Sequence, residues 1–199
     1  GGAPARVLRV GFVGEWGYEI HVITESMLPV WDQIMDKGAL HGIRPFGVEA
    51  QRLLRLEKGH LIVGQDSDGL SYPQEAGLDW AVKTDKSFFI GQRSLTILNK
   101  NVLKRQLVGF GLPKEYDGPI PKESHLVIEK GEITGRVTSV AFSPTLGHII
   151  GMAYVASHLA KPKTTIQILI NKGHLLSAQV ANLPFYDPKN LRQTEPQQS

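Results

Sequence analysis

Cysteine is absent from this 199-residue chain, which removes disulfides, thiolate metal sites, iron–sulfur ligation and cysteine nucleophiles together. Long apolar runs are absent too. Nothing approaches the roughly 20 consecutive apolar residues of a membrane helix, and the opening stretch, GGAPAR, lacks the apolar centre of a signal peptide. The resulting expectation is a cytoplasmic protein with no membrane partner. Charge of one sign is scarce: 22 Lys and Arg stand against 19 Asp and Glu, for a net +3, and the two signs are interspersed. A sequence pI near 9.1 therefore singles out no nucleic-acid partner. Seven histidines occur without an H-E-x-x-H motif or any i, i+4 pair, so a metal site has no support, and no G-x-S-x-G nucleophile elbow is present.

Apolar residues make up 41% of the chain, enough for a real core. The stretch RVLRVGFVGEWGYEIHV alternates on both sides of a glycine-rich middle, as two strands joined in a hairpin around Val13 to Trp16 do. SMLPVWDQIMDKG then puts Leu28, Trp31, Ile34 and Met35 on one helical face, with Ser26 placed to cap it and Gly38 to stop it. VEAQRLLRLEKG reads as a second amphipathic helix ending at Gly59. Gly59 to Gly77 has the texture of a long loop, GLDWAV that of a strand and IGQRSLTILNK that of a short helix. Beyond Lys104 come short β-rich runs, RQLVGFGL, SHLVIEK, EITGRVTSVAF, HIIGMAYV, TTIQILI and HLLSAQVANL, separated by turn residues. The fold class is α+β: an antiparallel sheet with helices over 1–103, a small all-β barrel over 104–188 and a mobile tail over 189–199. The barrel is expected to buttress the first part.

Few motifs carry chemistry. Glycines 11, 14 and 17 are spaced G-x-x-G-x-x-G and precede a strand, which excludes a dinucleotide fingerprint. GQDSDG brings Asp66 and Asp68 together, but Leu70 and Gly77 fall where an EF-hand needs ligands. Capping of the local turn is the favoured role for both aspartates, with a catalytic carboxylate as the alternative. Arg52 and Arg55 share a helix face, where ion pairs to Glu49 or Glu57 compete with anion recognition. Thr138, Ser139 and Ser143 lie near turns, their hydroxyls expected on local backbone. The odd residue is Glu19, a carboxylate inside the strand-like GYEIHV: it faces either water or a ligand pocket.

In order along the chain, GFVGEWGYEIHV, GIRPFGVEAQRLLRLEKGHLIVGQDSDG, DWAVKTDKSFFIGQRSL, KRQLVGF, TGRVTSVAFSPTLGHIIGMAYV and ANLPFYDP resemble the folate-binding aminomethyltransferase family. That family includes the glycine cleavage T-protein and the folate domains of sarcosine and dimethylglycine oxidoreductases. RLEKG, IVGQDSDG and PFYDP are most similar to the carboxy-terminal half of the α subunit of heterotetrameric sarcosine oxidase. The resemblance implies that residues 1–103 are the carboxy-terminal part of the folate-binding domain, and that tetrahydrofolate is the cofactor. It also implies that Glu19 holds the pterin. A pterin offers a ring N–H and an exocyclic amine side by side, a donor pair that one carboxylate accepts with both oxygens. Tyr18, Gln51 and Arg55 complete the implied folate contacts, Tyr18 as the weaker member because it faces the other way.

The sequence departs from the family pattern in two places. Gln51 stands where the T-protein has an arginine, and a neutral amide cannot offset a carboxylate's charge. Relative to the family the amino-terminal half is missing, and with it half of the folate cavity and the aspartate beside the reacting nitrogens. Asp66 or Asp68 would have to stand in for that aspartate. The implied function is a tetrahydrofolate-dependent aminomethyltransferase-type enzyme, taking one-carbon units from a small secondary amine or aminomethyl donor to form methylenetetrahydrofolate. The alternative is a non-catalytic folate-binding or assembly subunit. Its partner would be a chain supplying the missing half, a flavin oxidase as in sarcosine oxidase, or a second copy of this chain. A family branch linked to iron–sulfur maintenance fits worst, because its K-G-C-x-x-G-Q-E signature is not met by SFFIGQRSL.

Overall fold

Twelve buried apolar side chains, among them Phe110, Val127, Val137, Ile168 and Val180, fill the interior of a closed six-stranded barrel. The computed structural model describes residues 2–194. The barrel strands are β3 (Arg105–Gly111), β4 (Leu126–Glu129), β5 (Glu132–Ser143), β6 (His148–Ala156), β7 (Thr165–Ile170) and β8 (His174–Ala181). They close in the order β3-β6-β5-β4-β7-β8, every neighbouring pair antiparallel. Closure leaves no open edge on this sheet, which removes the aggregation hazard of an unpaired strand.

β6 is buried on both faces, and this explains its nearly unbroken apolar run. Ile149, Ala153 and Val155 point into the barrel. Ile150 and Met152 point outwards and pack with Leu56, Leu183 and Phe185. Leu56 belongs to helix α2 (Val48–Glu57), which lies across the outside of β5 and β6. At its end Gly59 adopts φ +70°, a left-handed turn natural to glycine, and the His60 amide returns to the Arg55 carbonyl.

The amino-terminal part is built differently. Strands β1 (Ala5–Arg9) and β2 (Tyr18–Val22) pair antiparallel in a two-stranded sheet, with Val7 opposite Ile20 and Leu8 opposite Glu19. Helix α1 (Thr24–Gly38) follows and has no buried residue. It begins two residues before Ser26, which sits inside the first turn and not at the cap. The hairpin is held to the rest through its turn and through Arg9 at the end of β1, whose Nη2 donates to the Gln193 carbonyl at 2.7 Å. The His60 ring donates a 2.8 Å hydrogen bond from Nδ1 to the Phe12 carbonyl and stacks on the Phe12 ring. Gly14, at φ +81°, lies so close to Lys58 that an added Cβ would stand 2.8 Å from its side-chain carbons.

Two elements differ from expectation. GLDWAV forms a single 3-10 turn over Asp79–Ala81, because no strand lies beside it to satisfy an extended backbone. The short helix α3 (Gln92–Leu98) forms as expected. Of the tail expected to be mobile, residues 195–199 lie outside the described residues. The preceding stretch carries a 3-10 turn at Leu191–Gln193 whose Arg192 carbonyl accepts from the Trp16 amide at 3.0 Å. Polar backbone on both sides finds partners there.

Phe110 and Trp31 separate the two parts energetically. Truncating the fully buried ring in Phe110→Ala leaves a cavity and is expected to cost about 3–5 kcal/mol in denaturant unfolding. Trp31 is 51% exposed, and Trp31→Ala in the isolated chain should stay within about 0.5 kcal/mol.

Candidate functional site

Glu19 stands on the polar face of the hairpin. Partners in an antiparallel pair share a face, so Arg6, Leu8, Glu19 and His21 lie on one side, and Val7, Tyr18, Ile20 and Val22 on the other. The Glu19 side chain is 60% exposed, and its Oε2 lies 3.1 Å from His21 Nε2. The other carboxylate oxygen takes no hydrogen bond from the described residues. A carboxylate so placed has a free acceptor edge. Tyr18, on the opposite face, accepts a 2.8 Å hydrogen bond at its hydroxyl from the Trp16 indole, and the Arg9 guanidinium covers the Trp16 ring at 3.9 Å. Gln51 is exposed on the first half of α2.

Arg55 has a different environment. It is 2% exposed, and its Nη1 donates to Asp66 Oδ2 at 2.6 Å and to the His60 carbonyl at 3.1 Å. Nη2 donates to Ser139 Oγ at 2.8 Å, and Ser139 in turn donates to Asp66 Oδ1 at 2.6 Å. Asp66 also accepts from the Ile62 amide at 2.9 Å and is fully buried. A bulge in β5 between Val137 and Ser139 leaves Thr138 without a partner residue on β6 and aims Ser139 at this pair. The ion pairs expected on the helix surface are thus divided. Arg52, half-exposed, does reach towards Glu49 at 3.9 Å and also bonds Gln65 and Glu123, whereas Arg55 turns inward to Asp66 and not to Glu57.

Three of the four hydroxyls of β5, those of Thr138, Ser139 and Ser143, also reach further than expected. Thr138 donates to the Met152 carbonyl across the barrel wall, Ser139 to Asp66, and Ser143 to Glu57, whose second oxygen accepts from Thr145 at 3.1 Å. Only the bond from the Leu146 amide to Ser143 is local. Buried Glu57 and Arg55 on the outer wall need polar partners, and the barrel supplies them. The sequence signal was present in LRLEKG, where charged residues interrupt an apolar string that faces a core.

Asp68 does cap its own turn. Its Oδ1 accepts from the Leu70 amide at 2.9 Å and from the Ser71 hydroxyl at 2.8 Å. The Ser71 hydroxyl and Leu70 amide, with Arg105 and Arg136 adding, hold this carboxyl below its ordinary value against a small desolvation. Both aspartates are engaged by local partners: Asp66 is buried among Arg55, Ser139 and the Ile62 amide, and Asp68 is tied to Leu70 and Ser71. Two clefts, of about 490 Å³ beside Glu75 and Leu98 and about 520 Å³ beside Gly111 and His148, lie away from Glu19, Gln51 and Arg55. Among the described residues no cluster of His, Asp and Glu is arranged to hold a metal, and no helix is long and apolar enough to cross a membrane.

A last ion pair closes the chain on itself. Lys58 Nζ donates to Asp187 Oδ2 at 3.2 Å and to the Asp187 carbonyl at 2.8 Å, with both side chains buried. The Tyr186 amide bonds the Glu57 carbonyl, and Arg192 reaches Glu15 at 3.1 Å. Segment 183–193 thereby clasps the end of α2 to the turn of the hairpin that carries Glu19.

With this geometry in view, comparison with known proteins decides the relationship. The family model described as the GCVT N-terminal domain matches residues 1–86, and that of the glycine cleavage T-protein C-terminal barrel domain matches residues 105–187. The chain belongs to the glycine cleavage T-protein family. It is 39% identical over 184 residues to an aminomethyltransferase of Halothermothrix orenii, covering 92% of this chain and 50% of that protein. An aminomethyltransferase of Bacillus subtilis is 35% identical over 186 residues, covering 93% and 50%. The fold matches the crystal structure of the glycine cleavage system aminomethyltransferase T from Bartonella henselae with a TM-score of 0.80 at 24% identity, over 90% of this chain and 49% of that one. The chain spans about half the length of the curated relatives it matches.

Acid should open the clasp. Burial pushes the Asp187 carboxyl up, but the Arg192 and Leu191 amides and Lys58 outweigh it and hold it below its ordinary 3.8. A depressed folded value means that the stabilisation is complete above the unfolded value and is lost as pH falls through the folded one. The stability difference between the parent chain and Asp187→Asn, read from denaturation midpoints, should be constant from neutral pH to about pH 5 and close below about pH 4. A gap unchanged at pH 2 contradicts this assignment.

Proposed function

We propose that this chain is the tetrahydrofolate-holding half of an aminomethyltransferase-type enzyme, accepting one-carbon units from a secondary amine or aminomethyl donor to form methylenetetrahydrofolate. Membership of the family supports the reaction class, and the observation that carries the reading is the exposed Glu19 carboxylate with one oxygen unclaimed. That donor-hungry edge fits the paired N–H groups of a pterin. When bound, tetrahydrofolate supplies the nucleophilic nitrogens that receive the one-carbon unit.

The chain's own residues bind and orient. Glu19 fixes the pterin edge, and His21 at 3.1 Å limits the rotamers of that carboxylate. Gln51, exposed on α2, offers an amide hydrogen bond without charge. Tyr18 on the opposite face packs beside Trp16 and stiffens the strand. Arg55 acts at one remove: it holds the 60–66 turn against α2 through Asp66 and the His60 carbonyl. We assign the proton-transfer role to neither Asp66, engaged by Arg55, Ser139 and the Ile62 amide, nor Asp68, engaged by its own turn.

A second reading keeps the folate site and removes turnover: a binding subunit completed by a partner such as a flavin amine oxidase, the arrangement that the likeness to the sarcosine oxidase α subunit suggests. The bare helix α1 and the two-sided hairpin favour a partner in either case. Calorimetric titration of the chain with tetrahydrofolate, beside Glu19→Ala, tests the reading. Binding weakened at least about tenfold by the substitution, the size of one lost charge-assisted bond, is expected. Equal binding by both proteins would remove Glu19 from the site.

A further inference from the structure

Asp187 has no task in the proposed reaction, yet three donors converge on its carboxylate. Oδ1 accepts from the Leu191 amide at 2.9 Å, and Oδ2 from the Arg192 amide at 3.1 Å and from Lys58 Nζ at 3.2 Å. It does this from strained backbone. Asp187 lies at φ +48° and Asn190 at φ +57°, in the left-handed region that residues other than glycine seldom occupy. Such strain persists only where the surroundings over-determine it, and it gathers where a conformation has to be held. Here the two residues fold the chain back, so that the Asp187 side chain caps the 3-10 turn over Leu191–Gln193.

That turn meets the hairpin at three points. The Arg192 carbonyl accepts from the Trp16 amide at 3.0 Å, the Gln193 carbonyl accepts from Arg9 Nη2 at 2.7 Å, and Arg192 Nε donates to Glu15 Oε1 at 3.1 Å. Arg9 stands opposite Tyr18 in the β1–β2 pairing, and the next pair along is Leu8 with Glu19. Beneath the hairpin turn, the Lys58 stem passes where Gly14 has no side chain, and its ammonium ends on Asp187. Asp187 thus joins the fixed end of α2 to the strand residues beside Glu19.

We propose that Asp187 is a positioning residue for Glu19: by holding the Leu191–Gln193 turn against Lys58, it sets where the strand residues beside Glu19 lie, and so the direction of that carboxylate. The inference deepens the proposed role of Glu19 and rests on it for the ligand. A carboxylate accepts from the Lys58 ammonium and from both amides at once, whereas an asparagine of the same shape offers one acceptor oxygen and no charge. Without the carboxylate the turn loses a cap and its anchor, and the Arg192 and Gln193 carbonyls no longer hold Trp16 and Arg9. The two donors of a pterin must meet both oxygens of Glu19 together, a requirement that a displacement of an ångström spoils. Asp187 itself is engaged by Lys58 and its own turn and acts on the ligand only through the hairpin.

The test compares the full chain with Asp187→Asn, with Arg9→Met, and with Asp68→Asn, a control that removes the cap of a separate turn. In Asp187→Asn the Trp16 amide should exchange at least about tenfold faster, and backbone order parameters over residues 16–19 should fall from about 0.85 towards about 0.6, while the barrel strands keep their protection. Tetrahydrofolate affinity should fall at least about fivefold in Asp187→Asn and in Arg9→Met, and stay level in Asp68→Asn. In a Glu19→Ala background, Asp187→Asn should cause no further loss, because it acts through that carboxylate; a residue that only stabilised the fold would weaken binding in both backgrounds or in neither. Arg9→Met cuts an exposed contact and keeps the inference open to refutation should Asp187→Asn not fold. Unchanged order over residues 16–19 in a folded variant overturns the inference, and so does an equal loss of affinity with and without Glu19. A parent chain that binds no tetrahydrofolate rejects the folate reading alone, since exchange and order still decide whether Asp187 holds the hairpin.

Discussion

The interaction on which the rest depends is the buried ion pair between Arg55 and Asp66, completed by Ser139. Each partner comes from a different element: α2, the loop after it, and β5 of the barrel. Burying two charges is costly, and attraction alone rarely offsets the lost hydration, so such a pair persists only with near-complete hydrogen bonding. Here both carboxylate oxygens of Asp66 are engaged, by Arg55, Ser139 and the Ile62 amide, and of the buried polar side-chain atoms only Arg55 Nε lacks a partner among the described residues. The geometry is directional where apolar packing is not. Leu56, Ile150 and Met152 would let α2 slide on the barrel; the ion pair sets where it stops.

From that fixed point the structure grades outwards from rigid to open. The barrel and α2 are cemented by two apolar clusters and by the Glu57–Ser143 and Lys58–Asp187 contacts. The hairpin turn is clamped between His60, Lys58 and the carboxy-terminal segment. The strands and α1 beyond that turn have few partners of their own. Glu19 lies one pair beyond the clamped turn, opposite Leu8, on a strand whose far end at Val22 is unsupported. In the proposed role of Glu19, the orientation of the carboxylate is only as good as the packing of its strand, because positioning loses much for an ångström of freedom.

Much of the fold was legible from period alone. The six β runs after Lys104 each became a barrel strand, because alternation and turn residues are local signals that closure does not override. GLDWAV failed as a strand because a strand needs a neighbour, which no window of sequence reveals. The site was legible unevenly. Glu19 was visible as a charge in an alternating strand, and the ligand proposed for it comes from family resemblance. Arg55 looked like a surface residue because its helix face reads as polar, and only the fold shows that a polar pocket in the barrel wall receives it. Ser139 was invisible as a long-range partner, since a one-residue bulge decides where it points.

The most direct test of this account is a double-mutant cycle between Asp66→Asn and Ser139→Ala, read as unfolding free energy. If the three side chains act as one unit, the coupling between these positions should be about 1 kcal/mol or more, with the double variant much less destabilised than the two single losses added together. Losses that add to within about 0.3–0.5 kcal/mol would contradict it: Asp66 and Ser139 would then be independent neighbours, and the register of α2 on the barrel would rest on apolar packing alone.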